Sequence, residues 1–196
     1  MLDMNGLRIF LLGWGVVALA VRLVYGWRAY TRKAKPGVDQ TTPHPLAVLS
    51  MSIWFGVFGA LLVFPDTVRE QTLSMPFLPY MRITGLGLLA AGLWTLVRAH
   101  VALGEFYGVK LYIKQDHRLI DIGPYAHVRH PMYTTYLIWF AAMTLIVPHP
   151  VTALVLIMGG YGFYRMAKGE ERMLCQALGE PYKHYCRRTG MFLPRM

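Results

Sequence analysis

The stretch LRIFLLGWGVVALAVRLVYGW, Leu7 to Trp27, is apolar over a length that matches the ~20 residues needed to cross a bilayer core. It is too long for the core of a signal peptide, and no small-residue cleavage site follows it. Arg22 interrupts it about one turn before its end, where a long side chain snorkels to the interface or serves a substrate. Four more apolar runs follow: Leu46 to Phe64, Phe77 to Val97, Met132 to Val147, and Val151 to roughly Ala167. Pro148-His149-Pro150 breaks the last two apart. They read as two thin or tilted spans, or as a hairpin that enters and returns, and either version leaves both ends on one side.

The composition agrees. Of the 196 residues, 55% are hydrophobic and 15% charged, against roughly 45–50% and 25% in soluble domains. That excludes a disordered chain and argues against an ordinary soluble globule. No motif recurs, so no solenoid is expected. The two cysteines, Cys175 and Cys186, have no metal-site spacing and form no disulfide framework.

The net charge of +10 is not scattered. Arg28, Arg32, Lys33 and Lys35 follow the first run, and Arg98, Lys110, Lys114, Arg118 and Arg129 lie between the third and fourth. Arg165, Lys168, Arg172, Lys183, Arg187, Arg188 and Arg195 follow the fifth. Sixteen of the 20 basic residues thus share one face, opposite Arg8, Arg69 and Arg82. The positive-inside rule then predicts an outer N-terminus and a cytoplasmic C-terminus. The excess charge is explained by orientation and anionic headgroups, so no nucleic-acid partner is expected. The predicted fold is an all-α integral membrane protein of about five transmembrane helices. A three-helix region spans residues 1–98, and a chemistry-bearing region spans 99–196, within one structural unit.

Two polar stretches, 104–136 and 164–196, are longer than tethers between helices need to be. In His130-Pro131-Met132-Tyr133, proline suits the first position of a helix, where its missing N–H costs nothing. That helix start is either an interfacial cap or an anion-binding point, with Arg129 and His130 as added donors. Glu170 and Glu171 follow the last apolar run closely. They are either solvated beside Arg172 and Lys168 or a counter-charge for a cationic ligand. An anion site beside a carboxylate would suit a zwitterionic amino-acid group. His127 and His130 lack the i, i+4 spacing of a helical metal pair, so no metal is expected.

Gly123-Pro124-Tyr125-Ala126-His127-Val128-Arg129-His130-Pro131-Met132-Tyr133, then Glu170-Glu171, then Leu178-Gly179-Glu180-Pro181-Tyr182-Lys183-His184-Tyr185 and Phe192-Leu193-Pro194 resemble the isoprenylcysteine carboxyl methyltransferase family, which is related to the membrane phospholipid N-methyltransferases. Residues 104–194 carry the specific part of the resemblance, and the short chain resembles the five-span prokaryotic members. The resemblance implies methyl transfer from S-adenosylmethionine, with S-adenosylhomocysteine as product, in a cytoplasmic pocket built from the 99–130 loop and the C-terminal tail of a prokaryotic inner-membrane protein. It implies cofactor contacts at Lys110, His117, Arg118, Leu119, Ile120, Tyr125, His130, Pro131, Met132, Tyr133 and Glu170. Family members carry an Arg four residues before that Glu; here Met166 stands there and Arg165 is its neighbour.

A carboxylate acceptor is already ionised near neutral pH and needs a cation to hold it, for which Arg165 and Arg129 are the candidates. An amine acceptor must first lose a proton, for which Glu171 or His127 would serve. The expected partner is a lipophilic substrate within the bilayer, an S-prenylated cysteine or similar acid, reaching the site sideways. The alternatives are a lipid-amine methyltransferase and a non-catalytic membrane subunit. The oligomeric state is not legible. Small residues of the third run (Gly85, Gly87, Ala90, Ala91, Gly92) predict close helix packing or a lipid groove, and Tyr182 and Tyr185 are candidate lid anchors.

Overall fold

The computed structural model describes residues 4–31, 43–104 and 119–195. Lys110, His117 and Arg118 lie outside them. The described chain forms α1 (Met4–Thr31), α2 (Pro45–Val63), α3 (Pro65–Gln71), α4 (Leu78–Leu103), a 3₁₀ turn (Gly123–Ala126), α5 (Pro131–Ile146), α6 (Pro150–Leu178) and α7 (Glu180–Arg188). Among the described residues, three helices are long and apolar enough to cross a membrane, Asn5–Arg28, Pro45–Val63 and Leu78–Leu103, with Pro131–Ile146 a shorter apolar helix. The protein is an all-α integral membrane protein.

Proline sets most of the helix starts. It is the first residue of α2, α3, α5 and α6, a place where its fixed φ fits and no hydrogen bond is lost. At α6 the preceding His149 completes a capping box: its Nδ1 accepts from Val151 N at 3.1 Å, and its own N–H donates to Thr152 Oγ1 at 3.3 Å. The predicted break at Pro148-His149-Pro150 is therefore a tight reversal between α5 and α6. The fifth predicted run extends well past Ala167, and α6 carries Glu170 and Glu171 as helical residues.

The core is built by close helix contacts. α4 lies along α5, and α6 packs on α2 and α5. A Cβ on Gly92 of α4 would stand 2.5 Å from Trp139 Nε1 of α5, and one on Gly162 of α6 would stand 2.5 Å from Ala47 N of α2. Only glycine permits these approaches, as small-residue packing in membranes predicts. Gly87, by contrast, faces open space. The tryptophans Trp14, Trp54 and Trp139 meet at the centre of the bundle, with ring centroids 4.9–6.1 Å apart. Trp14 Nε1 donates to Leu89 O at 3.0 Å and Trp54 Nε1 to Trp139 O at 3.1 Å, which meets the polar requirement of a buried indole.

Candidate active site

Three segments converge at the start of α5. The 3₁₀ turn and residues 127–130 lead into it, the polar end of α6 lies beside it, and the tail after α7 folds back across it. The fold-back is a short parallel pairing. Arg129 N donates to Gly190 O at 2.9 Å, His130 N to Met191 O at 3.1 Å, and Gly190 N to His127 O at 3.2 Å. Thr134 Oγ1 adds a bond to Phe192 O at 2.9 Å. Tyr185 Oη donates to Tyr125 O at 2.6 Å, tying α7 to the 3₁₀ turn. The tail turns sharply after Gly190, where a Cβ would stand 1.7 Å from Leu193 O.

Within this frame the charged side chains form one chain of contacts. Tyr133 Oη donates to Glu170 Oε1. Glu170 Oε2 lies 3.2 Å from His130 Nδ1, and His130 Nε2 lies 3.5 Å from Glu171 Oε1. Arg129 Nε donates to that same Glu171 oxygen at 2.6 Å. Arg129 Nη1 donates to Cys186 O at 3.2 Å and to Thr189 O. Lys168 Nζ stands 3.9 Å from Glu171 Oε2 at the edge of the group. His130, Glu170 and Glu171 are all buried. Aromatic rings line the apolar side: Tyr133 stacks on His130 and on Phe163, and Phe192 lies 6.2 Å from His130.

Burial pulls the His130 pKa down, but the two neighbouring carboxylates outweigh it and hold the imidazole above its ordinary range. Burial pushes Glu171 up, and His130 and Arg129 more than reverse this, so its carboxyl titrates below its ordinary range. His130 thus stands between both carboxylates, and Arg129 adds a second cation to Glu171. The Cys186 thiol is raised chiefly by burial, as are the Tyr182 and Tyr185 phenols.

Of the residues singled out from sequence, Arg129, His130, Pro131, Tyr133, Glu170 and Glu171 come together. Tyr125 is buried beneath them, and Met132, Leu119 and Ile120 are half-buried. Arg165 does not join: it is exposed and its Nη1 donates to Tyr161 Oη at 2.8 Å. His127 is exposed and contributes its carbonyl to the tail pairing. Tyr182 and Tyr185 are buried anchors of α7. Sequence reasoning missed the carbonyls of Cys186, Thr189, Gly190 and Met191, because backbone acceptors carry no side-chain signature. Thr189-Gly190 was the one available turn signal.

The model of the isoprenylcysteine carboxyl methyltransferase family matches residues 85–176, which hold α5, most of α6 and the whole contact chain from Arg129 to Glu171. The chain is 26% identical over 137 residues to protein-S-isoprenylcysteine O-methyltransferase B of Arabidopsis thaliana, a match covering 65% of this chain and 70% of the relative. It is 27% identical over 114 residues to the protein-S-isoprenylcysteine O-methyltransferase of Schizosaccharomyces pombe, covering 57% of this chain and about half, 48%, of the relative. It is 30% identical over 158 residues to the cobalt-zinc-cadmium resistance protein CzcN of Cupriavidus metallidurans, covering 79% of this chain and 66% of the relative. With the matched segment centred on the clustered His130 and Glu170, the chain belongs to the isoprenylcysteine carboxyl methyltransferase family.

Proposed function

We propose that the protein is a membrane methyltransferase that uses S-adenosylmethionine to methylate the carboxylate of an S-prenylated cysteine or a similar lipophilic acid. It works at the cytoplasmic face of a prokaryotic inner membrane, with the N-terminus outside. The observation that carries this reading is the 3.2 Å contact between buried His130 and buried Glu170 beside the start of α5.

The residues present fit such a cofactor. Its amino-acid end needs an anion for the ammonium and N–H donors for the carboxylate. Glu170 supplies the anion. The first turn of α5 has no side-chain cap, which leaves backbone N–H groups there as donors for a carboxylate; His130 Nε2 is buried without a hydrogen bond, 3.5 Å from Glu171 Oε1. When bound, the cofactor supplies an electrophilic methyl group on a sulfonium. The chain's own residues would orient it: Glu170 and His130 would hold the amino-acid group, and the stacked rings of Tyr133 and Phe163, with Phe192 beside His130, would exclude water. Tyr125, Pro131, Met132, Leu119 and Ile120 would complete the wall; Lys110, His117 and Arg118, which the family resemblance also assigns to the cofactor, lie outside the described residues. Such positioning supplies about 7–11 kcal/mol of a displacement barrier.

An acid acceptor suits the site better than an amine. An amine requires a base, and Glu171 is already engaged by Arg129 with its affinity for a proton reduced. Arg129 is correspondingly a positioning residue that ties Glu171 to the tail. Calorimetry with S-adenosylhomocysteine on detergent-purified protein tests the cofactor assignment, and no binding at millimolar ligand would defeat it. Methylation of a farnesylcysteine analogue, run beside phosphatidylethanolamine, tests the acceptor; preference for the amine would reverse the assignment.

A further inference from the structure

The Arg129, Arg165 and Lys168 side chains on and near the carboxylate cluster are not equivalent. The Arg129 guanidinium is committed to Glu171 and to the carbonyls of Cys186 and Thr189. Arg165 is held by Tyr161, hydrogen-bonded to its phenol at 2.8 Å and lying 5.8 Å from its ring centroid. Lys168 is the loosely held one. Its side chain is 47% exposed, its Nζ reaches Glu171 only at 3.9 Å, and it lies 6.0 Å from the Tyr164 ring.

Its position is equally distinctive. Helical periodicity puts Tyr161, Tyr164, Arg165 and Lys168 on one exposed face of α6, while Phe163, Ala167 and Glu170 form the adjoining buried face. Lys168 is the first residue past the apolar run of α6, where its exposed face meets the cluster. Releasing it leaves little undone, because Glu171 keeps Arg129 at 2.6 Å and His130 at 3.5 Å. Arg172, one turn further along, is exposed.

We propose that Lys168 is the specificity-determining cation of this site: it receives the carboxylate of a lipid-borne acid arriving along the exposed face of α6, and repels an amine headgroup from the same place. This rests on the reading that the acceptor is a lipophilic acid. A lysine suits the task, since its ammonium is a mobile point charge on a flexible stem. A like charge facing the competitor adds rejection to attraction.

The test compares N-acetyl-S-farnesylcysteine with its carboxamide, which has the same tail and no charge. Both are titrated into nanodisc-embedded protein saturated with S-adenosylhomocysteine, and binding is followed by tryptophan fluorescence. Wild-type protein is expected to bind the acid about fivefold more tightly than the amide, the upper scale of one partly exposed charge pair. Lys168→Met should abolish that preference by weakening the acid alone, and Lys168→Arg should restore it, with S-adenosylhomocysteine affinity unchanged throughout. A Lys168→Met protein that keeps the acid preference would overturn the assignment and leave the acid reading standing. A wild-type protein with no acid preference would overturn both. Lys168→Gln serves as a second neutral variant; loss of S-adenosylhomocysteine binding in both neutral variants would also overturn the assignment, by showing that Lys168 supports the fold itself.

Discussion

His130 is the hinge of the site's electrostatics, because each ring nitrogen faces a different carboxylate. Its raised pKa means that its share of stability is complete below the ordinary histidine value of 6.5 and is lost as pH rises through the higher folded value. The lowered pKa of Glu171 gives the opposite limb: its share is present above 4.5 and is lost as pH falls through the folded value. Thermal melts in detergent should therefore peak between these two ordinary values and decline on the alkaline side, and His130→Gln should flatten that alkaline decline. Glu170→Gln removes the anion proposed to meet the cofactor ammonium. A charge-assisted contact in a buried site is worth about 2–5 kcal/mol, so S-adenosylhomocysteine affinity should fall by about thirtyfold or more. Binding within threefold of wild type, measured by calorimetry, would remove Glu170 from the site. That His130 and Glu170 could serve one pocket was an alternative legible in the sequence, because a proline-started helix and an acidic pair past an apolar run each have a physical reason to sit at the boundary; their direct 3.2 Å contact was not. The isolation of Arg165 was not, since one residue of helical phase decides whether it faces the cluster or Tyr161.

Helices and tail fail in different ways when their close contacts are disturbed. Gly162 of α6 meets the backbone of α2, which has no flexible side chain to yield. Gly162→Ala should cost about 1–3 kcal/mol of stability, as overpacking does, visible as a lower midpoint in a denaturing-detergent titration. Gly190→Ala disturbs the tail instead, because its Cβ would collide with the Leu193 carbonyl. The amides of Arg129 and His130, which donate to Gly190 and Met191, should then exchange at least about tenfold faster with deuterium, while those in α4 stay protected. The long helices were readable as apolar runs to within about one turn, except the third, which continues six residues past Val97 to Leu103, and the fifth; α3 and α7 carry no apolar run and were not read. α6 ran on because nothing past Ala167 breaks a helix before Gly179. The tail pairing was hidden, since backbone hydrogen bonds between distant segments leave no period in the sequence.

At the scale of the whole molecule, membrane character and helical class follow from composition and charge asymmetry before any contact is considered. The orientation proposed from that asymmetry predicts that a fluorescent reporter fused at the C-terminus will be active in intact bacterial cells, and that one fused before α1 will not. The length of α5 bears on a further property. Its 16 residues rise only about 24 Å, less than the ~30 Å hydrocarbon thickness of an ordinary bilayer. Its Ile146 end is tied to α4 by Arg82 Nε, which donates to Ile146 O at 3.3 Å, so in the orientation proposed above the shortfall would fall at the His130 end. The mouth of the proposed site would then be sunk below the lipid surface, in a local dimple. Hydrophobic mismatch becomes a rate-setting variable, and turnover should be higher in short-chain than in long-chain phosphatidylcholine vesicles, whose thicker leaflet must be pinched to reach the same floor.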